Sequence, residues 1–145
     1  MYLMARGFSL TELVVALTVA ALLLAVGLPR LAGFLDWAAA DRAAREVTTA
    51  LAVARAAAVM QGTRARVTIA ADTLRIDRWE GADWRPYQRW PGPISRGVTL
   101  EVSNPEVVFG PTGMGWGASN TRVVLRRGSY TETITTSRLG RVKRW

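Results

Sequence analysis

The sequence predicts an α+β fold, a long N-terminal α-helix packed on a C-terminal antiparallel β-sheet. Three observations predict it. Leu13 to Leu28 is an apolar run of 16 residues without a charge. Trp37 to Met60 is rich in alanine, with apolar residues at helical spacing. From Arg64 onward, short alternating segments separated by turn residues replace the helical pattern. The 145 residues give room for one domain with one core.

The apolar run, extended back to Phe8, is 21 residues long with Glu12 as its only charge. As a helix it reaches about 30 Å, one bilayer core. A cleaved secretory signal fits poorly. Only Arg6 precedes the run among charged residues, and no small-x-small site follows it. A carboxylate one turn into such a helix is expensive, about 2.5–3.5 kcal/mol on insertion scales, so Glu12 is a candidate functional residue. The alternative is that Glu12 reaches back to the interface. Pro29 removes a backbone donor and is expected to bend the helix.

In the second half of the helix, Val47, Leu51, Ala54 and Ala58 form one apolar stripe suited to covering a sheet. Arg42, Arg45, Thr49 and Arg55 fall mostly off it. Asp41 and Arg45 are an i,i+4 pair in the favoured order. Gln61-Gly62-Thr63 ends the helix. Strands are then expected at 66–70, 73–79, 84–90, 98–102, 106–109, 122–127 and 130–136. Ala71-Asp72, Glu80 to Asp83 and Gly128-Ser129 are turns, and Pro91-Gly92-Pro93 forces a loop. Gly110 to Gly117 reads as a flexible loop, since no strand–loop–helix context makes its glycines a phosphate cradle. Asp72 and Asp77 are read as members of surface ion pairs with nearby arginines. Trp79, Trp84 and Trp90 are read as hairpin and core packing, with a cation–π surface as the alternative.

The sequence has neither cysteine nor histidine. That removes disulfides, thiolate nucleophiles, imidazole bases and His or Cys metal sites, so an enzyme is not expected, nor is a metal or other cofactor. Basic residues outnumber acidic ones 19 to 11, for a net charge of +8. Residues 122–145 hold seven of the cations and one acid, Glu132, or +6 of that total. A one-ended basic cluster is the footprint of a phosphate ligand, or of an acidic neighbouring subunit.

Gly7-Phe8-Ser9-Leu10-Thr11-Glu12 before an apolar helix resembles the processing site of type IV prepilins and pseudopilins. The resemblance implies the pilin fold and a leader of residues 1–7. It implies cleavage between Gly7 and Phe8 by a prepilin peptidase, then N-methylation of Phe8. Residues 8–28 would be the transmembrane and filament-core helix, 29–62 its continuation on the sheet, and 63–145 the β-rich region with a basic tail. Glu12 would pair with the amine of a neighbouring subunit and set the register of filament assembly. The second half is similar to GspH/FimT-type minor pilins and pseudopilins, through Phe109-Gly110-Pro111-Thr112-Gly113, the basic hairpin and Ser137 to Arg144. Some members bind DNA through a C-terminal Gly-Arg-x-Arg motif. The matching residues are Gly140, Arg141, Val142 and Lys143, with Lys for the last Arg and Arg144 directly after.

These readings give a minor pilin of a type IV pilus system, single-pass in the inner membrane with its C-terminal domain exported. Other pilins or pseudopilins, the prepilin peptidase and DNA of low sequence specificity are the expected partners, with a role in natural transformation. Arg138, Gly140, Arg141, Lys143 and Arg144 are the expected DNA site, on a tail with backbone freedom, extended by Arg126 and Arg127. The alternative is a structural GspH-like pseudopilin at the tip of a type II secretion system, without a nucleic-acid ligand.

Overall fold

The computed structural model describes residues 9–145. The 1–7 leader, the Gly7–Phe8 cleavage site and the Phe8 methylation site lie outside the described residues.

Helix α1 spans Leu10–Gln61 and runs through Pro29. Its start is a capping box. The Glu12 amide donates to Ser9 Oγ at 3.2 Å, and the Ser9 amide donates to Glu12 Oε2 at 3.4 Å. Two N-terminal amides are thereby partnered, as Ser-x-x-Glu dictates. The apolar segment is exposed along its length, and α1 is long and apolar enough there to cross a membrane. Within it, the Thr18 hydroxyl donates to the Val14 carbonyl at 2.7 Å, so the one polar side chain between Leu13 and Leu28 is satisfied inside the helix.

The described residues up to Leu35 and the segment Asp36–Trp145 are separate units. In the second, α1 from Asp36 packs on two four-stranded antiparallel sheets. The first has the order β3-β2-β1-β5, with β1 at Ala65–Ile69, β2 at Thr73–Glu80, β3 at Asp83–Pro91 and β5 at Glu106–Phe109. The second has the order β4-β6-β7-β8, with β4 at Thr99–Val102, β6 at Thr121–Arg127, β7 at Tyr130–Thr136 and β8 at Val142–Arg144. The helical stripe Val47, Leu51, Ala54 and Ala58 is fully buried. It shares one core with Val67, Ile76 and Phe109 of the first sheet and Val123, Leu125 and Ile134 of the second. Alanines on this face let the helix sit close to both sheets.

The structure departs from the sequence reading in four places. The sheet is two sheets, because β5 returns to pair with β1 while β4 pairs with β6. Pro93–Arg96 forms a 3-10 turn. The Gly110 to Gly117 segment is pinned: Gly110 N–H donates to the Met114 carbonyl, Gly115 N–H to Arg138 and Trp116 N–H to Val108, each at 2.8 Å. The last residues are strand β8, hydrogen-bonded to β7, so the C-terminus lacks the backbone freedom expected of a tail.

Candidate nucleic-acid interface

Strand alternation sorts the basic residues of the second sheet onto two faces. In β6, Val123, Leu125 and Arg127 turn toward the helix, and Arg122, Val124 and Arg126 turn away. Register carries the outer face onto β7 and β8, where Arg122 lies opposite Thr135 and Thr135 opposite Lys143. The outer face therefore presents Arg122, Arg126 and Lys143 among Thr99, Glu101, Thr131, Thr133 and Thr135. Arg141 and Trp145 continue the parity of Lys143 and are exposed, while Val142 and Arg144 are half-buried. Lys143 Nζ sits 3.3 Å from the centroid of the Trp145 ring, a cation–π contact.

The ion pairs decide which cations are available. Arg144 reaches back from β8 to α1 and bonds Asp41, and its Nε donates to Glu132 at 2.8 Å. The Glu132 hydrogen bond leads the causes that raise its pKa above the usual arginine value, against a smaller opposing effect of burial. Asp41 is held below the usual carboxylate range, first by its hydrogen bond from Arg45 and then by that from Arg144. Arg127 Nε donates to Asp36 at 2.8 Å, and its Nη1 donates to the Arg96 carbonyl. Arg126 pairs with Glu101 at 3.2 Å. Among the described residues, no carboxylate pairs with Arg122, Arg138, Arg141 or Lys143.

Of the seven candidate site residues from the tail and hairpin, Arg138, Arg141 and Lys143 are thus exposed and free of acids. Arg126, Arg127 and Arg144 are tied to them. Gly140 serves the backbone. It closes the Ser137 to Gly140 turn, its N–H donating to the Ser137 carbonyl at 2.9 Å. Its φ of 71° is a left-handed conformation, and a Cβ there would collide with the Gly113 carbonyl. Arg55 of α1 donates to the Gly140 carbonyl at 3.2 Å and fastens the turn to the helix. Sequence reasoning counted Arg122 in the basic cluster but not in the site. Its signal was the period of two along β6. A shallow groove of about 590 Å³ is lined by Arg122, Thr135 and Arg138 and joins the face of β6 to the turn before β8.

On the first sheet, Trp79 and Trp84 pack on each other across the β2–β3 hairpin and also carry arginines on their rings, while Trp90 packs against the core. Arg64 lies 4.3 Å from the Trp79 centroid and 5.5 Å from that of Trp116, and Arg66 lies 4.6 Å from Trp84. Trp79 meets Trp84 edge-on at 5.3 Å. Asp77 is in ion pairs with Arg66 and Arg75, but it is buried rather than on the surface.

One helix laid on an antiparallel β-domain, with an apolar helical extension at its N-terminus, is the architecture of pilin-like subunits. The structure resembles that of the type IV minor pilin FimU of Pseudomonas aeruginosa, with a TM-score of 0.64 at 16% identity over 76% of this chain and 90% of that one. It also resembles the minor pseudopilin EpsH from the type 2 secretion system of Vibrio cholerae, with a TM-score of 0.60 at 14% identity over 73% and 95%. A comparison with curated protein sequences gives no match. Residues 43–140 match the family model described as type II transport protein GspH, and the chain belongs to that family. It is a minor pilin or pseudopilin of a type IV pilus or type II secretion system.

Proposed function

We propose that this subunit is a minor pilin that binds DNA, with little sequence preference, across the outer face and edge of its second sheet. Four exposed cations without a carboxylate partner carry the reading: Arg122, Arg138, Arg141 and Lys143. Threonine hydroxyls between them add donors for phosphate oxygens, and Trp145 offers a stacking face. Among the described residues, no helix projects from this face to read base edges. The chain would be cut between Gly7 and Phe8 by a prepilin peptidase and methylated on Phe8. It would lie in the inner membrane through its apolar helix until drawn into a filament with other pilins during natural transformation.

The test is an electrophoretic shift with duplex DNA and the full chain in detergent. Four phosphate contacts at about −0.9 each give a salt slope near −3.6. Arg141→Gln with Lys143→Gln is expected to remove most of the shift. Arg42→Gln with Arg45→Gln on the helix is the charge control and should leave it. Arg144→Gln should change it by less than about three-fold, since that side chain is engaged with Asp41 and Glu132. Absence of a shift at low salt, or equal sensitivity to the helix pair, would end this reading. The family's description is also compatible with a second one, a pseudopilin of a type II secretion system, in which the basic face would meet an acidic neighbour.

A further inference from the structure

Strand β8 is the edge of the second sheet. Trp145 N–H donates to the Thr133 carbonyl at 2.9 Å, Thr133 N–H donates back at 3.4 Å, and Ser137 N–H donates to the Arg141 carbonyl at 3.0 Å. Such pairs alternate along an antiparallel ladder with pairs whose amides turn outward. The backbone groups of Val142 and Arg144 therefore point away from β7, and among the described residues no strand lies beside them.

That open edge borders a groove of about 890 Å³ between β8 and α1. Ala52, Ala56, Val59 and Met60 of the helix and Leu139 of the turn line it with apolar surface, and Met60 and Leu139 are 84% and 67% exposed. The alanines leave space where a longer side chain would fill it. Thr48 to Met60 spans about 18 Å at 1.5 Å per residue, the length of about five extended residues. Arg55 and Arg141 stand on the rim, and the acids nearby, Asp41 and Glu132, are consumed by Arg144. A second copy of this chain is a poor occupant, because antiparallel pairing of β8 with itself sets Arg141 and Lys143 against like charges.

We propose that the groove receives an extended segment of a different polypeptide, added to β8 as a fifth strand. Its apolar residues would lie on Ala52 and Ala56, and its acidic ones at the basic rim. Main-chain hydrogen bonds would supply affinity and the alternate side chains specificity. The inference does not depend on DNA binding.

The probe is a fluorescent peptide of about six residues alternating valine and glutamate, added to the full chain in detergent and followed by anisotropy. Saturable binding is expected, weakened about ten-fold or more by Ala52→Gln with Ala56→Gln, which fills the groove with neutral side chains on an exposed helix face. Val142→Pro should weaken it similarly, since it removes an outward amide and no bond to β7. The glutamine pair should leave the DNA shift unchanged, so the two proposals fail separately. The inference is overturned by lack of saturation up to about 1 mM peptide. It is equally overturned by binding that neither variant changes, by equal binding of a peptide with proline for valine, or by a β8-dependent homodimer.

Discussion

Replacing Gly140 with alanine separates the two roles packed into the C-terminal motif. An alanine at φ 71° costs about 1–2 kcal/mol for the left-handed backbone. The new Cβ also meets the Gly113 carbonyl, and Arg55 Nε lies 3.4 Å away, so two segments must separate. Overpacking of this kind costs about 1–3 kcal/mol more, for a total of about 2–5 kcal/mol. Gly117 is the matched control, with φ 69° and nothing within 4 Å of its added Cβ; Gly117→Ala carries only the backbone cost. At about 4 °C per kcal/mol for a domain of this size, Gly140→Ala should melt about 4–12 °C below Gly117→Ala. The melt is read from the near-ultraviolet signal of the tryptophans in the full chain. Arg141→Gln, one residue on, should leave the melting temperature within about 2 °C while it weakens DNA binding. Equal melting of the two glycine variants would refute the close crossing of the Gly113 loop and the Gly140 turn.

Two further outcomes follow from the ion pairs and the helix start. Glu12→Gln keeps the capping box, in which glutamine serves as well as glutamate, but removes the charge; if the charge sets filament register, incorporation into pulled-down filaments falls while membrane insertion persists, and normal incorporation reduces Glu12 to a cap. Asp41, whose pKa is depressed by Arg45 and then Arg144, stabilises the fold above its unfolded pKa, and that contribution is lost as pH falls through the lower folded value. Chemical denaturation should therefore show Asp41→Asn less stable than the parent at neutral pH, with the gap closing as pH drops below about 4.

The legible parts of the fold are those with local causes. Val47, Leu51, Ala54 and Ala58 announce a buried helix face by spacing alone, and all four are buried. Gly128-Ser129 announces a two-residue turn, and β6 and β7 flank it. The Asp41–Arg45 pair forms at 2.8 Å because its partners are one helical turn apart. The division into two sheets has no such local cause. It depends on β5 passing the neighbouring strand to reach β1, a pairing between segments some forty residues apart. The pinned Gly110 to Gly117 segment is similar. Its distant anchor, the carbonyl of Arg138, is supplied by tertiary packing, which the local run of glycines does not show. The capping box of Ser9 and Glu12 is legible as Ser-x-x-Glu, in the same six residues that carry the processing pattern.

The basic tail shows why a charge count is a poor map of a binding face. Arg138, Arg141 and Arg144 recur at a spacing of three, which suggests one ribbon of equivalent cations. A strand has a period of two, so β8 sends Arg144 toward the helix and leaves Arg141, Lys143 and Trp145 on the exposed side. Arg144 is neutralised in part by nearby Glu132, but its second acid, Asp41, and the acid of Arg127, Asp36, lie 103 and 91 residues earlier in the chain. No window of sequence around the tail contains those two. Of the +6 carried by residues 122–145, the part free to meet a phosphate is therefore set by the docking of α1 against the second sheet. Arg122, on the outer face of β6, is the fourth free cation by the parity of its own strand. On this reading the docked helix withdraws Arg127 and Arg144 from the ligand, although no helical residue touches it.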